Sequence, residues 1–282
     1  MKPNSPGYSG LLRRSSRQAH RFIRKLGCKE NERLHFILVH DAIGASGRSH
    51  SASRKPAFAL NKELGAIEPQ VSQMKLVTGT GQPVHVFSAN AKGYAVFMEI
   101  NRREEKSGEI NGIRAQFIDV DLNKIAAEAD TMEQAKRIAE RLRADRAEKL
   151  ASVEITRSKR GKYRIVARRT KARVGRLKTA FLNRYRDRFK DAMIVETGNG
   201  FHVYWAIEGG SLAKFVPLQQ ALAARFGGDP LITNLKRVMR IPGFYHMKDP
   251  KAPYLVRVVH WGRKKPFTQE ELAKRFALNT GR

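Results

Sequence analysis

The chain of 282 residues carries 55 Lys/Arg against 26 Asp/Glu, a formal net charge of +29, with a mean hydropathy of −0.50. Its 41% of apolar residues suffices for a folded core, yet there is no apolar run of about 18 residues to span a membrane and no apolar secretory stretch at the N-terminus. Cys28 is the only cysteine, which excludes an intramolecular disulfide and a multi-cysteine zinc site, and a reducing cytoplasm is the expected setting. The charge implies a polyanionic partner. Nucleic acid fits better than anionic membrane, because the basic runs lack a sustained apolar face.

Residues 1–33 hold nine Lys/Arg against two Glu and read as a basic N-terminal arm, in which "LLRRSSRQAHRFIRKLG" has a helical pattern stopped by Gly27. The remainder, 34–282, reads as one catalytic-size domain. Residues 45–56, rich in Ser, Gly and Arg, read as a loop. The runs "PVHVFSA", "YAVFMEI" and "IRAQFIDVDL" read as strands, the last two separated by the polar "NRREEKSGEING". A helix follows, signalled by Thr131 three residues before Gln134 in a capping-box pattern.

Residues 155–190 then hold fifteen basic residues and one acid, Asp187. This basic insertion is expected to contain a strand, "KYRIVARRT", and a basic helix, "GRLKTAFLNRYRDRFK". Arg168, Arg169, Lys171, Arg173, Arg176 and Lys178 within it are the expected nucleic-acid contacts, a solvated face being the plainer alternative. Next, "AMIVETGNGFHVYWAI" sets two β-rich runs around Thr-Gly-Asn-Gly, a hairpin signal. "SLAKFVPLQQALAARFGG" reads as a helix ended by Gly227, "YLVRVVHW" as a strand, and "TQEELAKRFAL" as a helix capped by Thr268 with Glu271. Strands and helices alternate irregularly, so the expected fold class is α+β with a mixed or antiparallel central sheet. No internal repeat and no G-x-x-x-x-G-K-[ST] is present, so no ATP-driven motor is expected.

Four stretches could carry chemistry. In "FIDVDL", Asp119 and Asp121 fall at alternate strand positions and project to the same side, where two carboxylates repel unless a cation or proton lies between them. A hard divalent cation suits such a pair, although Asp-x-Asp at a strand end also fits a water-facing terminus. His202 begins a strand after Gly198 and Gly200 and shares a face with Tyr204; it fits either a phosphate donor or a backbone-satisfied core histidine. Asp229 sits in "GGDP", where helix-stop chemistry alone would explain it. Lys236, Arg237, Arg240 and Lys248 surround the Ile-Pro-Gly turn of "KRVMRIPGFYHMK", cations suited to phosphate or to an ordinary charged surface.

Together these stretches resemble the archaeo-eukaryotic primase (prim–pol) superfamily over roughly residues 84–260. "FIDVDL", "GNGFHVYW" and "GGDP" are similar to its three motifs, in the same order, and "RVMRIPGFYHMK" looks like the Arg-x-Pro-Gly…Lys segment of plasmid and phage replication primases. The resemblance implies an RRM-like catalytic core with flanking helices. It also implies template-directed primer synthesis on single-stranded DNA by two-metal nucleotidyl transfer. Asp119, Asp121 and Asp229 would then bind two Mg²⁺ or Mn²⁺ ions, and His202, Asn199 and Gly200 would meet the nucleotide. Arg240 and Lys248 would hold nucleotide or template phosphate, and Arg237 would join the nucleic-acid contacts. Nucleoside triphosphates, a DNA template and a separate replicative helicase are the implied partners.

The gap of 81 residues from Asp121 to His202 is longer than the motifs require and contains the basic insertion. Two other readings stand beside this one. A non-enzymatic basic initiator would bind nucleic acid without needing the aspartates. A rolling-circle nickase or relaxase needs a His-hydrophobe-His pair, whereas "HVY" at 202–204 has no second histidine in step.

Overall fold

The computed structural model describes residues 17–29, 33–41, 57–59, 75–77, 83–91, 93–104, 106–158, 161–249 and 252–279. The stretch 45–56, expected to be a loop, lies outside these residues. Two compact units emerge: Met1–Asp119 with Phe189–Gly198 and His202–Arg282, and Val120–Arg188 with Asn199–Phe201.

In the first unit, helix α1 (17–25) precedes β1 (Arg33–His40), which pairs antiparallel with β2 (Ala57–Ala59) and with β5 (Tyr94–Glu99). A small hairpin of β3 (Lys75–Val77) and β4 (Pro83–His85) runs into helix α2 (Val86–Ala91), so the run "PVHVFSA" is half strand and half helix. The reason is tertiary: Asn90 in α2 donates to the carbonyls of Tyr94 and Tyr245, both at 2.8 Å, and accepts from the Tyr245 amide. A five-stranded sheet runs β16 (Arg257–His260), β11 (Met193–Glu196), β12 (Gly200–Gly210), β7 (Ile110–Asp121), β6 (Arg102–Arg103). β13 (Val238–Arg240) joins β5, and β14 (Tyr245–His246) pairs with β15 (Tyr254–Leu255).

The inner strands β7 and β12 are buried on both faces over 113–118 and 200–205, where apolar side chains such as Phe117, Ile118, Phe201 and Trp205 enclose the buried polar groups of Arg114, Gln116 and His202. Burying each Phe or Ile there contributes roughly 1.5–3 kcal/mol. Helix α5 (Leu212–Phe226) is tied to β7 through buried Gln219, whose Oε1 accepts from the Phe117 amide at 2.8 Å and from Gln116 Nε2 at 2.9 Å. Trp205, Phe189, Phe226 and Phe276 form an aromatic cluster, with Phe276 immediately following α6 (Gln269–Arg275). The segment expected to be a basic arm is a packed helix over 17–25: Ala19, Phe22, Ile23 and Leu26 are buried, and Phe22 meets Tyr204 edge-on at 5.3 Å. Its apolar stripe decides this in spite of the flanking charges.

The second unit takes up the chain at the end of β7. β8 (Lys124–Ala129), β10 (Tyr163–Arg169) and β9 (Leu150–Arg157) form an antiparallel sheet in that order. Helix α3 (Met132–Ala144) covers one face, packing Ala135, Ala139, Ile138 and Leu142 against Ala129, Ile165, Val153 and Ile155. The Thr131–Gln134 capping box forms as its spacing predicts. Helix α4 (Lys171–Tyr185) starts at Thr170, earlier than the predicted basic helix, because the Thr170 hydroxyl accepts from the Arg173 amide. The basic stretch 155–190 supplies the end of β9, all of β10 and α4, and up to Arg188 it belongs to a larger unit that begins at Val120. Among the described residues no helix is long and apolar enough to cross a membrane.

Candidate active site

His202 is the second residue past Gly200, and both are placed by the start of β12. Gly200 is there for space: a Cβ would lie 1.7 Å from the Val120 carbonyl oxygen, and the neighbouring Leu122 amide donates to Asn199 O. Gly198 likewise leaves room for His246, whose Nδ1 would be 2.8 Å from an added Cβ. The glycines are therefore packing requirements as well as turn residues.

The His202 ring is buried, and burial together with the charges of Arg240, His246 and Arg237 lowers its pKa to about 3. It is neutral at pH 7. The Tyr204 hydroxyl lies 3.3 Å from its Nδ1, and burial and the Asp119 charge push the tyrosine pKa well above its usual value. The protonated Tyr204 hydroxyl can serve Nδ1 as donor or acceptor according to the ring tautomer, and Nε2 lies 3.7 Å from Asp119 Oδ1. A neutral imidazole makes this a polar contact and not an ion pair.

Asp119 ends the first-unit part of β7 with its side chain partly exposed. Its backbone carbonyl accepts from the Asp229 amide at 2.8 Å, so the Gly-Gly-Asp turn is docked on the strand end. Helix α5 delivers that turn: Gly227 takes a left-handed φ of 70°, and Gly228 donates back to Ala223. Asp229 Oδ1 accepts from the Leu231 amide. Asp121 stands two positions beyond Asp119 in β7 and belongs to the second unit; its Oδ1 accepts from the Asn123 and Lys124 amides in the turn to β8.

The three carboxylates suit a hard divalent cation in kind, and the turn bonds of Asp121 and Asp229 fall on Oδ1. Among the described residues, no three His, Cys, Asp or Glu side chains stand close enough together to hold a metal ion.

The predicted cations divide into braces and exposed groups. Arg240 forks onto Asp41 and lies over Phe97 at 4.7 Å; burial raises the Asp41 pKa, but the Arg240 bonds, with His246 and the Met247 amide, outweigh this and hold it low. Arg237 has a buried Nε with no hydrogen bond among the described residues. Lys248 is exposed just beyond β14. In the second unit, Arg169 is paired with Glu148 and donates to Leu122 O, while Lys178 is 7% exposed against Phe201, on which Phe181 stacks. These two are internal braces. Lys171 and Arg176 are exposed, and Arg168 and Arg173 partly so. Sequence reasoning missed Asp41, whose partner is 199 residues away, and the role of Tyr204, although strand alternation already placed it beside His202.

Comparison with known proteins places the chain. It belongs to a DNA-primase family, the one described as the RepB DNA-primase N-terminal domain, whose match spans residues 119–281, more than half of the sequence. That match begins at Asp119 and takes in Asp121, His202 and Asp229. No curated protein matches the sequence. Among solved structures, the AEP domain of the cyanophage S-2L primase-polymerase is similar at 14% identity and a TM-score of 0.48, over 92% of this chain and 97% of that one. The catalytic domain of primase RepB′ in complex with initiator DNA is similar at 16% identity and a TM-score of 0.43, over 94% of each chain. A structure of primase RepB′ matches at 14% identity and a TM-score of 0.43, over 93% of this chain and 62% of that one.

Proposed function

We propose that this chain is a replication primase that makes short primers on single-stranded DNA by nucleotidyl transfer from nucleoside triphosphates. Family membership supports the class. One observation supports the placement of the chemistry: a neutral, buried histidine sets Nε2 3.7 Å from the carboxylate of Asp119, whose own backbone anchors Asp229.

In this reading Asp119, Asp121 and Asp229 are the carboxylates that would hold two Mg²⁺ or Mn²⁺ ions, and they would have to draw together to do so, since among the described residues they do not form a ready-made metal site. When bound, the ions would offset triphosphate charge and make the attacking primer hydroxyl more acidic. His202 donates from Nε2 to a phosphate oxygen, in the tautomer for which the Tyr204 hydroxyl donates to Nδ1. Arg237, partly exposed with a buried Nε, places its guanidinium charge near His202, and exposed Lys248 is a second phosphate contact. Arg240 reaches phosphate only by giving up Asp41, so its first role is to hold the segment that carries His246. The template lies on the cations of the second unit, Arg168, Lys171, Arg173 and Arg176, through sequence-tolerant backbone contacts. Duplex opening is left to a separate helicase.

The test is synthesis on single-stranded DNA with labelled nucleotides and Mg²⁺ or Mn²⁺, wild type beside Asp119→Ala/Asp121→Ala. Short products from the wild type alone are expected, with activity in the variant down on the order of 10²–10³-fold or more and DNA binding retained. A wild type that binds several templates and synthesises on none would move the chain to a non-enzymatic initiator.

A further inference from the structure

A shallow cavity of about 430 Å³ lies in the second unit, bounded by Arg143 and Asp145 at the end of α3, Arg146, Lys149, and Leu150–Val153 of β9. β9 is the outer strand of its sheet, so the cavity sits along a free strand edge. Its three cations are exposed, and among the described residues none has an ion-pair partner; Arg143 donates only to Val153 O, at 3.3 Å. One acid, Asp145, lines the cavity against these three cations, and a second, Glu148, precedes Lys149 in sequence. Asp145 Oδ1 accepts from the Ala147 amide, and Glu148 is held by Arg169, whose hydrogen bond and charge keep its pKa low.

Lys149 adds an independent signal. Its φ of 47° is left-handed, and among the described residues only Ala277 shares this conformation without being glycine. A lysine there is strained by roughly 1–2 kcal/mol, where glycine would cost nothing. The strain is held in place by the Thr170 amide, which donates to Lys149 O at 2.9 Å. Lys149 is the left-handed cap of the short helical turn Arg146–Glu148, and this fixed backbone places the lysine at the rim of the cavity.

The cavity also leads somewhere. Ser152 lines it and pairs across the sheet with Arg168, which pairs in turn with Lys124. Paired residues in antiparallel strands point to one face, so these three form a row about 10 Å long on the face that α3 leaves uncovered. The row ends where the Lys124 amide donates to Asp121.

We propose that this cavity binds phosphate of a single nucleic-acid strand, and that the Ser152–Arg168–Lys124 row carries the strand's backbone from there to the Asp121 turn. The inference rests on the primase reading for its choice of a single strand as ligand. The ligand chemistry, phosphate oxygens against Arg and Lys, is shared by free nucleoside triphosphates, and the experiment separates the two.

Binding of a single-stranded oligonucleotide is measured against salt concentration for wild type, Arg143→Gln/Arg146→Gln/Lys149→Gln, and the equally discharged Arg225→Gln/Lys264→Gln/Lys265→Gln in the first unit. The cavity variant should lose affinity on the order of tenfold at low salt, with the magnitude of the salt slope lowered by about 2. The control should change much less, and nucleoside-triphosphate affinity should stay at the wild-type value. Arg146→Gln alone should lower the slope by about 0.7. Unchanged DNA affinity in the cavity variant, or an equal loss in the control, overturns the proposal. So does a loss confined to triphosphate binding, which would make the cavity a nucleotide site. A larger loss on duplex than on single strand overturns the assignment to a single strand. The two readings fail separately: a wild type without primer synthesis whose cavity variant still loses DNA affinity keeps this inference and removes the primase one.

Discussion

The two units use charge in opposite ways. The second carries 21 Lys/Arg against nine Asp/Glu in 72 residues, net +12; the first carries 34 against 17 in 210, net +17, less than half that density. Among the described residues of the first unit, acids paired with cations include Asp41 with Arg240, Glu99 with Arg103, Glu196 with Arg257, Glu271 with Arg263 and Asp191 with Arg275. Among its described residues the second unit has the Glu148–Arg169 and Asp130–Lys162 pairs and leaves most of its cations to solvent. A net charge of +29 therefore describes neither half. One unit uses ion pairs to hold a buried site in shape, and the other presents a field to a polyanion.

Breaking a brace in the first unit should have the largest effect. Arg240→Met leaves Asp41, with a side chain only 8% exposed, buried without its fork, and should cost about 3–5 kcal/mol in denaturant unfolding. Arg169→Met in the second unit removes a more exposed pair and should cost clearly less. Equal losses would end the contrast between the units. The next effect is acid sensitivity from His202. Its folded pKa of about 3 lies below the unfolded value near 6.5, so the unfolded chain binds the proton first as pH falls. Stability is full above pH 6.5 and should decline below it, by at most about 1.4 kcal/mol per pH unit, until about pH 3. His202→Gln should flatten that part of a melting-temperature profile, and an unchanged slope would mean the ring is not held neutral. The smallest effect is local to the second unit: Thr131→Ala removes the α3 cap and should cost about 1 kcal/mol. Synthesis at saturating DNA should be unaffected, and a loss of synthesis would show that the units are less separable than their charges suggest.

Local signals in the chain were reliable wherever a few neighbouring residues settle the outcome. The Thr131 and Thr268 caps, the Gly227 stop and the strand pair around Gly198–Gly200 all form as their sequence patterns require. Other elements could not be read locally. "KIAAEA" at 124–129 is made of helix formers, yet it is a strand because β10 offers it a ladder. Lys178 looks like one more surface cation in a basic run, and only the packing of α4 with Phe201 buries it.

The sequence by itself determined the class of the molecule: its charge, its α+β pattern and the order of its Asp-x-Asp, His and Asp motifs, all properties of short stretches or simple sums. Only the tertiary structure decided which of those charges are available. It joined Asp41 to Arg240 across 199 residues, set the Tyr204 hydroxyl against His202 Nδ1, docked Asp229 on the backbone of Asp119, and left Arg143, Arg146 and Lys149 around an open cavity. The reason is physical: a charge is neutralised or exposed by neighbours that approach only when the chain packs, and no local rule counts them in advance.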